Sequence, residues 1–120
     1  MDNNNASNIV GHISHRKEVS IGKGLHNCFG FNILFLEENG LASVTKLAPG
    51  FPAEKVLSTR DVITHIEGID LCKFKNNLKK FSKFIHKCKM LDILFLSIVR
   101  TEEVVTIIDD EEEELRFVES

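Results

Sequence analysis

Alternating apolar residues predict most of the strands in this chain. Between residues 29 and 36 every odd-numbered position is Phe or Ile, and a period of two is typical of a β-strand. Asn39 followed by Gly40 favours a hairpin turn because both residue types tolerate a positive φ. The chain then returns as a strand over 41–47. Further apolar runs predict strands over 16–21, 62–67, 69–71 and 92–100.

Apolar residues spaced by three and four predict one long helix over 74–88. This spacing places them on one helix face, and lysines fill much of the remaining surface. The apolar residues are Phe74, Leu78, Phe81, Ile85 and Cys88. A short helix is predicted between Pro52 and Leu57 because proline is tolerated in a first helical turn. The element order is therefore β, β, β, short α, β, β, long α, β. This order indicates an α+β domain and not a parallel doubly wound sheet.

Length and composition favour one globular domain with short tails. The chain has 120 residues, of which 42% are hydrophobic and 28% charged, and this suits one core of about 100 residues. We expect a flexible polar arm over 1–14, a domain over 15–101 and an acidic tail over 102–120. The sequence has no apolar run near the roughly 18 residues of a membrane span. Its first residues lack the basic and apolar regions of a signal peptide.

Charge is distributed unevenly along the chain. Residues 1–100 carry 14 Lys and Arg against 9 Asp and Glu, a net charge of +5, whereas residues 101–120 carry one Arg against 9 acids, a net charge of −8. Seven lysines lie between positions 73 and 89 with no acid among them. These lysines have three interpretations: a solvated helix face, a surface for the phosphates of an anionic lipid or nucleic acid, or a surface for the acidic tail itself.

Residues that would carry catalysis or bind a metal are sparse. Cys28, Cys72 and Cys88 are too few and too scattered for a disulfide framework or a zinc site. We therefore expect a reducing compartment, the cytoplasm or the nucleus. The 5 histidines show no ligand spacing, so we expect no metal and no cofactor. The sequence contains no nucleophile elbow, P-loop or metal-binding His pair, and we expect no enzyme activity. Spacing alone does not test a catalytic triad, because triads are assembled in space.

Three short segments, taken in order, carry a family resemblance. The first is Cys28-Phe29-Gly30-Phe31, a loop of the form X-hydrophobic-Gly-hydrophobic. The second is Pro49-Gly50-Phe51-Pro52-Ala53, at the entry to the short helix. The third covers residues 60–71, from an Asp-Val-Ile run to an Ile-Glu-Gly-Ile-Asp-Leu run. In this order and at this spacing the segments resemble the PDZ domain family over about residues 16–100.

The chain departs from the pattern of that family at several positions. Arg60 stands where the family has Gly before Asp61, and Glu67 stands where Asn is common. The long helix lacks the family's His at its start and its small residues along the groove face, and it carries one or two extra residues. We therefore expect an altered turn at Arg60. The helix residue that faces the groove is Leu78, or Asn77 if the register shifts by one.

The resemblance implies both a fold and a function. The fold is a PDZ-like, partly open antiparallel β-barrel of five or six strands with one short and one long helix. The function is that of a protein–protein interaction module, which binds a short C-terminal or internal peptide by strand addition between the second strand and the long helix.

The loop over 28–31 has the features that capture of a peptide carboxylate requires. A free carboxylate needs charge-assisted hydrogen bonds in place of water, and a tight loop can aim consecutive backbone N–H groups at one point. Gly30 permits close approach because it has no Cβ. Lys23 would add attraction, and Leu78 would favour an apolar side chain two residues before the peptide's end. The candidate peptide-binding residues are Cys28, Phe29, Gly30, Phe31, Asn32, Ile33, Leu34, Leu78 and Ile85.

The same residues have alternative interpretations. The aromatic stripe over 29–35 is also what a core strand contains, and Phe81 or Phe84 could fill the groove. The chain would then be a scaffold or dimerisation module with an unused groove. The sequence leaves the oligomeric state open.

The C-terminal tail suggests a separate partner. Val104, Val105, Ile107 and Ile108 are followed by six consecutive acids. A β-prone apolar stretch beside an acidic run resembles a SUMO-interacting motif, which adds a strand to the modifier's sheet and pairs its acids with lysines. The alternative is a further strand of the domain's own sheet, or a tail that lies on the lysine-rich helix.

Overall fold

The chain divides into two compact units. The computed structural model describes residues 6–109 and 114–115. One unit is His15–Arg100, and the other combines residues 1–14 with residues 101–120. Each unit is described by itself below.

The described residues form an open antiparallel sheet with two α-helices. The strands are β1 (Ala6–Gly22), β2 (Phe31–Leu36), β3 (Leu41–Leu47), β4 (Val62–Ile66), β5 (Ile69–Asp70), β6 (Ile93–Asp109) and β7 (Glu114–Leu115). The α-helices are α1 (Pro52–Val56) and α2 (Leu78–Cys88), and 3-10 turns cover Leu25–Asn27 and Leu71–Phe74. The strand order is β1-β6-β4-β3-β2, with β5 paired to β4 and β7 paired to β6. Strands β1 to β6 and both helices contribute to the unit His15–Arg100, as the α+β prediction required, and the sheet is not closed.

Two strands are longer than the sequence predicted. The strand predicted over 16–21 extends over Ala6–Gly22, and the strand predicted over 92–100 extends over Ile93–Asp109. Residues 6–14, assigned above to a flexible arm, therefore have strand backbone. Because β1 and β6 are hydrogen-bonded neighbours, pairing satisfies their backbone groups whatever the polarity of the side chains.

The acidic tail also begins as a strand. Residues 104–108 lie within β6, and β6 pairs antiparallel with β7 through Ile108 with Leu115 and Asp109 with Glu114. Residues 110–113 of the acidic run, and the side chains of Val105, Ile107 and Ile108, lie outside the described part of the chain.

The core of the larger unit lies between the sheet and α2. Alternating residues of β3 and β6 are buried, and α2 contributes Phe81 and Cys88. This is the pattern that one-sided burial of strands and of a helix face produces. The largest fully buried apolar side chains are Ile21, Val44, Ile63, Ile66, Leu71, Leu96 and Ile98.

A buried ion pair fixes the start of β4 to β6. The Asp61 side chain is only 1% exposed, and it accepts two hydrogen bonds from Arg100, 2.9 Å from Nε and 2.7 Å from Nη2. It also accepts a 2.8 Å bond from the Ser58 backbone N–H. Arg100 Nη2 donates to the Val56 carbonyl at 3.1 Å. Arg100 therefore joins the end of α1 to both strands, and the paired charges offset the cost of burial.

The turns at Arg60 and Glu67 adopt left-handed backbone although neither residue is glycine. Arg60, just before the buried Asp61, has a φ of +78°, and Glu67 has a φ of +54° before Gly68 at +76°. Glu67 exchanges bonds with Phe95, because its N–H donates to the Phe95 carbonyl at 2.8 Å and its Oε2 accepts from the Phe95 N–H at 2.7 Å. The turn at Arg60 thus keeps a backbone that favours glycine, contrary to the altered shape expected there.

Candidate functional site

A tight loop closes immediately before β2. The Gly24 N–H donates to the Cys28 carbonyl at 2.8 Å, and the Cys28 N–H donates to the Leu25 carbonyl at 3.3 Å. Between them His26 and Asn27 have φ values of +57° and +61°. The loop is therefore ordered by its own backbone, and it delivers Phe29 and Gly30 to the start of the strand.

Position 30 requires a glycine, because of both its backbone conformation and the limited space around its Cα atom. Its φ is +92°, and a Cβ at this position would lie 2.2 Å from Phe51 Cβ and 2.6 Å from Phe51 Cγ. Non-bonded carbon atoms do not approach each other this closely. Phe51, the residue before α1, thus packs directly on the backbone of the loop, and any side chain at position 30 would displace it.

The backbone carbonyls of the loop are occupied. The Phe29 carbonyl accepts from the Ala53 N–H at 3.3 Å, and the Gly30 carbonyl accepts from the Ala48 N–H at 2.9 Å. These bonds attach the loop to the first turn of α1 and to the segment after β3.

The backbone N–H groups of the loop, in contrast, are available. Within the described residues, the N–H groups of Phe29 and Gly30 donate to no acceptor. Phe31 pairs with Leu47, one position after the bonded Gly30 and Ala48. Because bonded and non-bonded pairs alternate in an antiparallel ladder, the Phe31 N–H is not used by β3. Three consecutive N–H groups, at positions 29 to 31, are thus left for a ligand. Such a group is an anion-binding feature.

A cavity of about 1070 Å³ opens beside these N–H groups. Its size is at the upper end of ordinary ligand sites. Most of its lining is apolar, and the only charged residues that line it within the described chain are Lys46 and Lys89. The apolar lining includes Phe29, Ile33, Ile66, Ile85, Cys88 and Leu94. The cavity therefore combines an apolar interior with positive charge.

The free edge of β2 borders the same space. β2 is the last strand in the sheet order. Ile33 is paired with Val44, whose N–H and carbonyl bond to Asp61 and Arg60 on the β4 side. Ile33 consequently presents its own N–H and carbonyl to the open edge. An extended segment could therefore pair with β2 along this edge.

Helix α2 forms the opposite wall, and its register is set by an N-cap. Asn77 Oδ1 accepts from the Lys80 N–H at 3.1 Å, which is the usual bond of an N-cap residue. Leu78 is accordingly the first helical residue, and its side chain is 48% exposed. The helix predicted over 74–88 therefore begins four residues later than expected, because Phe74 ends a 3-10 turn and Asn77 caps the helix. Asn77 caps the N-terminus of the helix and does not line the cavity.

The two phenylalanines that could have blocked the groove pack elsewhere. Phe81 is buried and stacks on Phe35 with ring centroids 4.0 Å apart, and it meets the edge of Phe74 at 5.7 Å. Phe84 stacks on the other side of Phe74 at 5.0 Å. Neither Phe81 nor Phe84 lines the cavity. Their rings hold α2 against the sheet and leave the space near Gly30 open.

Most of the candidate residues chosen from the sequence border this cavity. Cys28, Phe29, Gly30, Phe31, Asn32, Ile33, Leu34 and Ile85 line it, whereas Leu78 does not. Lys23 lies close by, with its Nζ 5.6 Å from the centroid of the Phe29 ring, a cation–π distance.

Several lining residues were not foreseen. Cys88 and Lys89 follow Ile85 by three and four residues, so the helical repeat could have indicated them. Burial raises the pKa of the Cys88 thiol to about 11, and the negative charge of Glu67 adds to this effect. The thiol is therefore neutral at physiological pH and acts as part of the apolar lining.

His65, a residue of β4, has neighbouring side chains of the types found in catalytic triads. His65 Nδ1 lies 2.8 Å from Thr64 Oγ1, and His65 Nε2 lies 3.9 Å from Asp70 Oδ2. Asp70, however, accepts a 2.9 Å bond from the Cys72 N–H, and this bond is the main reason that the pKa of Asp70 is lowered. These three side chains do not line the cavity, and Asp70 caps a 3-10 turn.

The described part of the chain lacks the features of a metal site and of a membrane-crossing helix. No cluster of three or more potential metal-ligating side chains occurs there. Neither helix there has the length and apolar stretch that a membrane crossing needs.

Comparison with known proteins identifies the fold. No family model and no curated protein sequence matches the chain. Among solved structures, the chain is similar to the PDZ domain of a choanoflagellate SHANK1, bound to a GIRK3 peptide, with a TM-score of 0.58 and 19% sequence identity. The match covers 73% of this chain and 94% of that one. The fold is therefore PDZ-like.

Proposed function

We propose that this chain is a protein–protein interaction module that binds the C-terminal end of another polypeptide between β2 and α2. The observation that carries the proposal is the set of free N–H groups at positions 29 to 31 beside a cavity without acidic lining. A peptide carboxylate would receive charge-assisted hydrogen bonds there, which replace those it loses to water.

The backbone of the ligand would extend the sheet. An extended peptide that runs antiparallel to β2 would pair with the open-edge groups of Ile33. Its last side chain would enter the cavity between Ile33 and Ile85, and its side chain two residues earlier would approach Leu78. Since Leu78 is apolar and exposed, an apolar side chain is favoured there. We expect micromolar affinity, about −8 kcal/mol.

The structural comparison supports this assignment at the level of the fold. The similar SHANK1 domain was solved with a bound peptide. From the three scattered cysteines of the sequence we propose a reducing compartment, and with it a cytoplasmic or nuclear location.

The test compares free and amidated peptide ends. A library of peptides with randomised last residues is applied to the immobilised protein, once with free and once with amidated C-termini. Enrichment that depends on the free carboxylate is expected. Equal capture of the amidated library would contradict carboxylate binding. This comparison uses the wild-type protein, so it does not depend on the folding of a variant.

A charged variant in the loop supplies a second test. Gly30→Asp should abolish binding, because it adds both a side chain against Phe51 and a negative charge at the carboxylate site. The double variant Lys79→Glu with Lys83→Glu should change binding only modestly. The reverse order of effects, together with steep salt dependence, would instead indicate phosphate binding by α2.

The SUMO-interacting segment is a second candidate function. The apolar and acidic pattern of residues 104–114 supports this candidate. In the structure residues 104–108 belong to β6, which is paired with β1 and β7. The segment therefore lies in a strand of the chain's own sheet, as the alternative interpretation expected, and it would have to leave that pairing to add to a modifier. Deletion of residues 104–114 should remove binding to SUMO and leave peptide binding unchanged. Unchanged SUMO binding would refute this assignment.

A further inference from the structure

The lysines of α2 are not neutralised by the described part of the chain. Lys79, Lys80, Lys83 and Lys87 are exposed on the helix, and Lys89 follows at its end. No described carboxylate lies within ion-pair distance of any of them. Their charge is therefore available to a partner, and the carboxylate site just proposed does not account for it.

Helix geometry sorts these lysines into two sets. Successive residues are rotated by about 100°. Measured around the helix axis from Ile85, which borders the cavity, Lys89 lies at about 40° and Lys79 at about 120°, both on the side of Leu78. Lys80, Lys83 and Lys87 lie further round, at about 140° to 160°. Of these, Lys80 and Lys87 are on the side of Phe84, whose ring packs on Phe74. Lys89 therefore lines the groove, and Lys79 is the lysine within α2 that lies nearest to its rim.

The position of Lys79 along the groove corresponds to a definite part of a bound peptide. Lys79 precedes Ile85, which borders the cavity, by six positions, or about 9 Å at 1.5 Å per residue. An extended peptide advances about 3.3 Å per residue. Lys79 is therefore level with about the third residue before the terminal one, whereas Lys89 lies beside the terminal residue itself.

We propose that the groove selects peptides with an acidic side chain three or four residues before the C-terminus, and that Lys79 recognises this side chain. This inference rests on the proposed peptide-binding function and adds the chemistry of the partner. An acidic peptide uses the lysine, the apolar cavity and the open edge of β2 together. A lipid headgroup or nucleic acid would use only the charge.

The experiment uses two matched variants in the randomised free-carboxylate library. Lys79→Gln and Lys80→Gln remove one exposed lysine each from neighbouring positions of α2, on the groove side and on the far side. The wild-type protein should enrich Asp and Glu about three- to fivefold at the third and fourth positions before the end. Such an enrichment is the scale of one solvent-exposed ion pair. The enrichment should disappear in Lys79→Gln, persist in Lys80→Gln, and weaken as salt is raised.

The outcomes separate this inference from the function on which it rests. Free-carboxylate enrichment without any acidic preference would overturn the inference and leave peptide binding intact. Loss of all free-carboxylate enrichment would overturn both. Equal effects of the two variants would show that the overall charge of α2, and not Lys79, sets the preference. Binding of phosphatidylserine vesicles or duplex DNA that displaces the enriched peptides would assign the lysines to phosphate and overturn the inference as well.

Discussion

Replacing Gly30 by alanine should destabilise the domain through two separable effects. The backbone φ of +92° costs an L-residue about 1–2 kcal/mol. The added Cβ would lie 2.2 Å from Phe51 Cβ, and relief of such overpacking costs typically about 1–3 kcal/mol. We therefore expect Gly30→Ala to lower the free energy of unfolding by about 2–5 kcal/mol. Urea titration followed by far-ultraviolet circular dichroism is the assay, because the chain contains no Trp or Tyr.

A double-mutant cycle with Phe51→Ala separates the two effects. Removal of the ring eliminates most of the clash and leaves the backbone cost, so Gly30→Ala should cost only about 1–2 kcal/mol in that background. Gly22→Ala is the matched control, since a Cβ there meets nothing within 4 Å. If Gly30→Ala and Gly22→Ala differ by less than about 0.5 kcal/mol, the usual scatter of independent sites, the argument for a glycine-only position is refuted.

Three other outcomes test the turns, the ion pair and the thiol. Arg60→Gly should raise the free energy of unfolding by about 1 kcal/mol, because glycine adopts the φ of +78° without steric cost; a decrease in urea titration would contradict this. Arg100→Met should lower it by about 3–5 kcal/mol, since the Asp61 carboxylate stays buried without its partner; a loss under about 1 kcal/mol would show that Asp61 finds other solvation. Burial raises the pKa of the Cys88 thiol to about 11, so its stabilising contribution is complete below about 8.5 and is lost as the pH rises toward 11. Iodoacetamide at pH 8 should therefore modify the exposed Cys28 and Cys72 and spare Cys88, and a peptide mass spectrum that shows alkylation at Cys88 would disprove this.

The elements that the sequence predicted well are those whose own residues show the apolar repeat of a strand or a helix. β2 alternates, α2 repeats its apolar residues every three or four positions, and Asn39 with Gly40 marks the hairpin between β2 and β3. These signals need no knowledge of distant residues. The full lengths of β1 and β6 were missed because the two strands satisfy each other's backbone, and no property of either segment alone shows this.

The turn at Arg60 illustrates a second limit of sequence reasoning. A glycine would have indicated left-handed backbone, whereas an arginine indicates nothing of the kind. The turn is held by Asp61, which bonds to Ser58 within the turn and to Arg100, 39 positions further along the chain. Only the folded structure brings that second partner near.

The candidate site was predictable only where it depends on residues that are close together in the sequence. The loop around Gly30 and the helix residue Ile85 follow from local motifs and from the family resemblance. Leu94 and Ile66 line the cavity from β6 and β4, which pair only after the sheet has formed. Their contribution to the site depends on topology, and the sequence does not order the strands of a sheet by itself.

The uncovered border of β2 allows one molecule of this domain to bind to a second molecule of the same protein. Backbone groups that accept any extended chain do not distinguish a foreign tail from a strand of a second molecule, and exposed borders of this kind are where sheets polymerise. Leu34, 56% exposed on that strand, adds to the hazard. The lysines of the neighbouring helix counteract it, because two molecules that approach border to border bring their positive surfaces together and repel. Neutralising those lysines should therefore lower the concentration at which the protein precipitates.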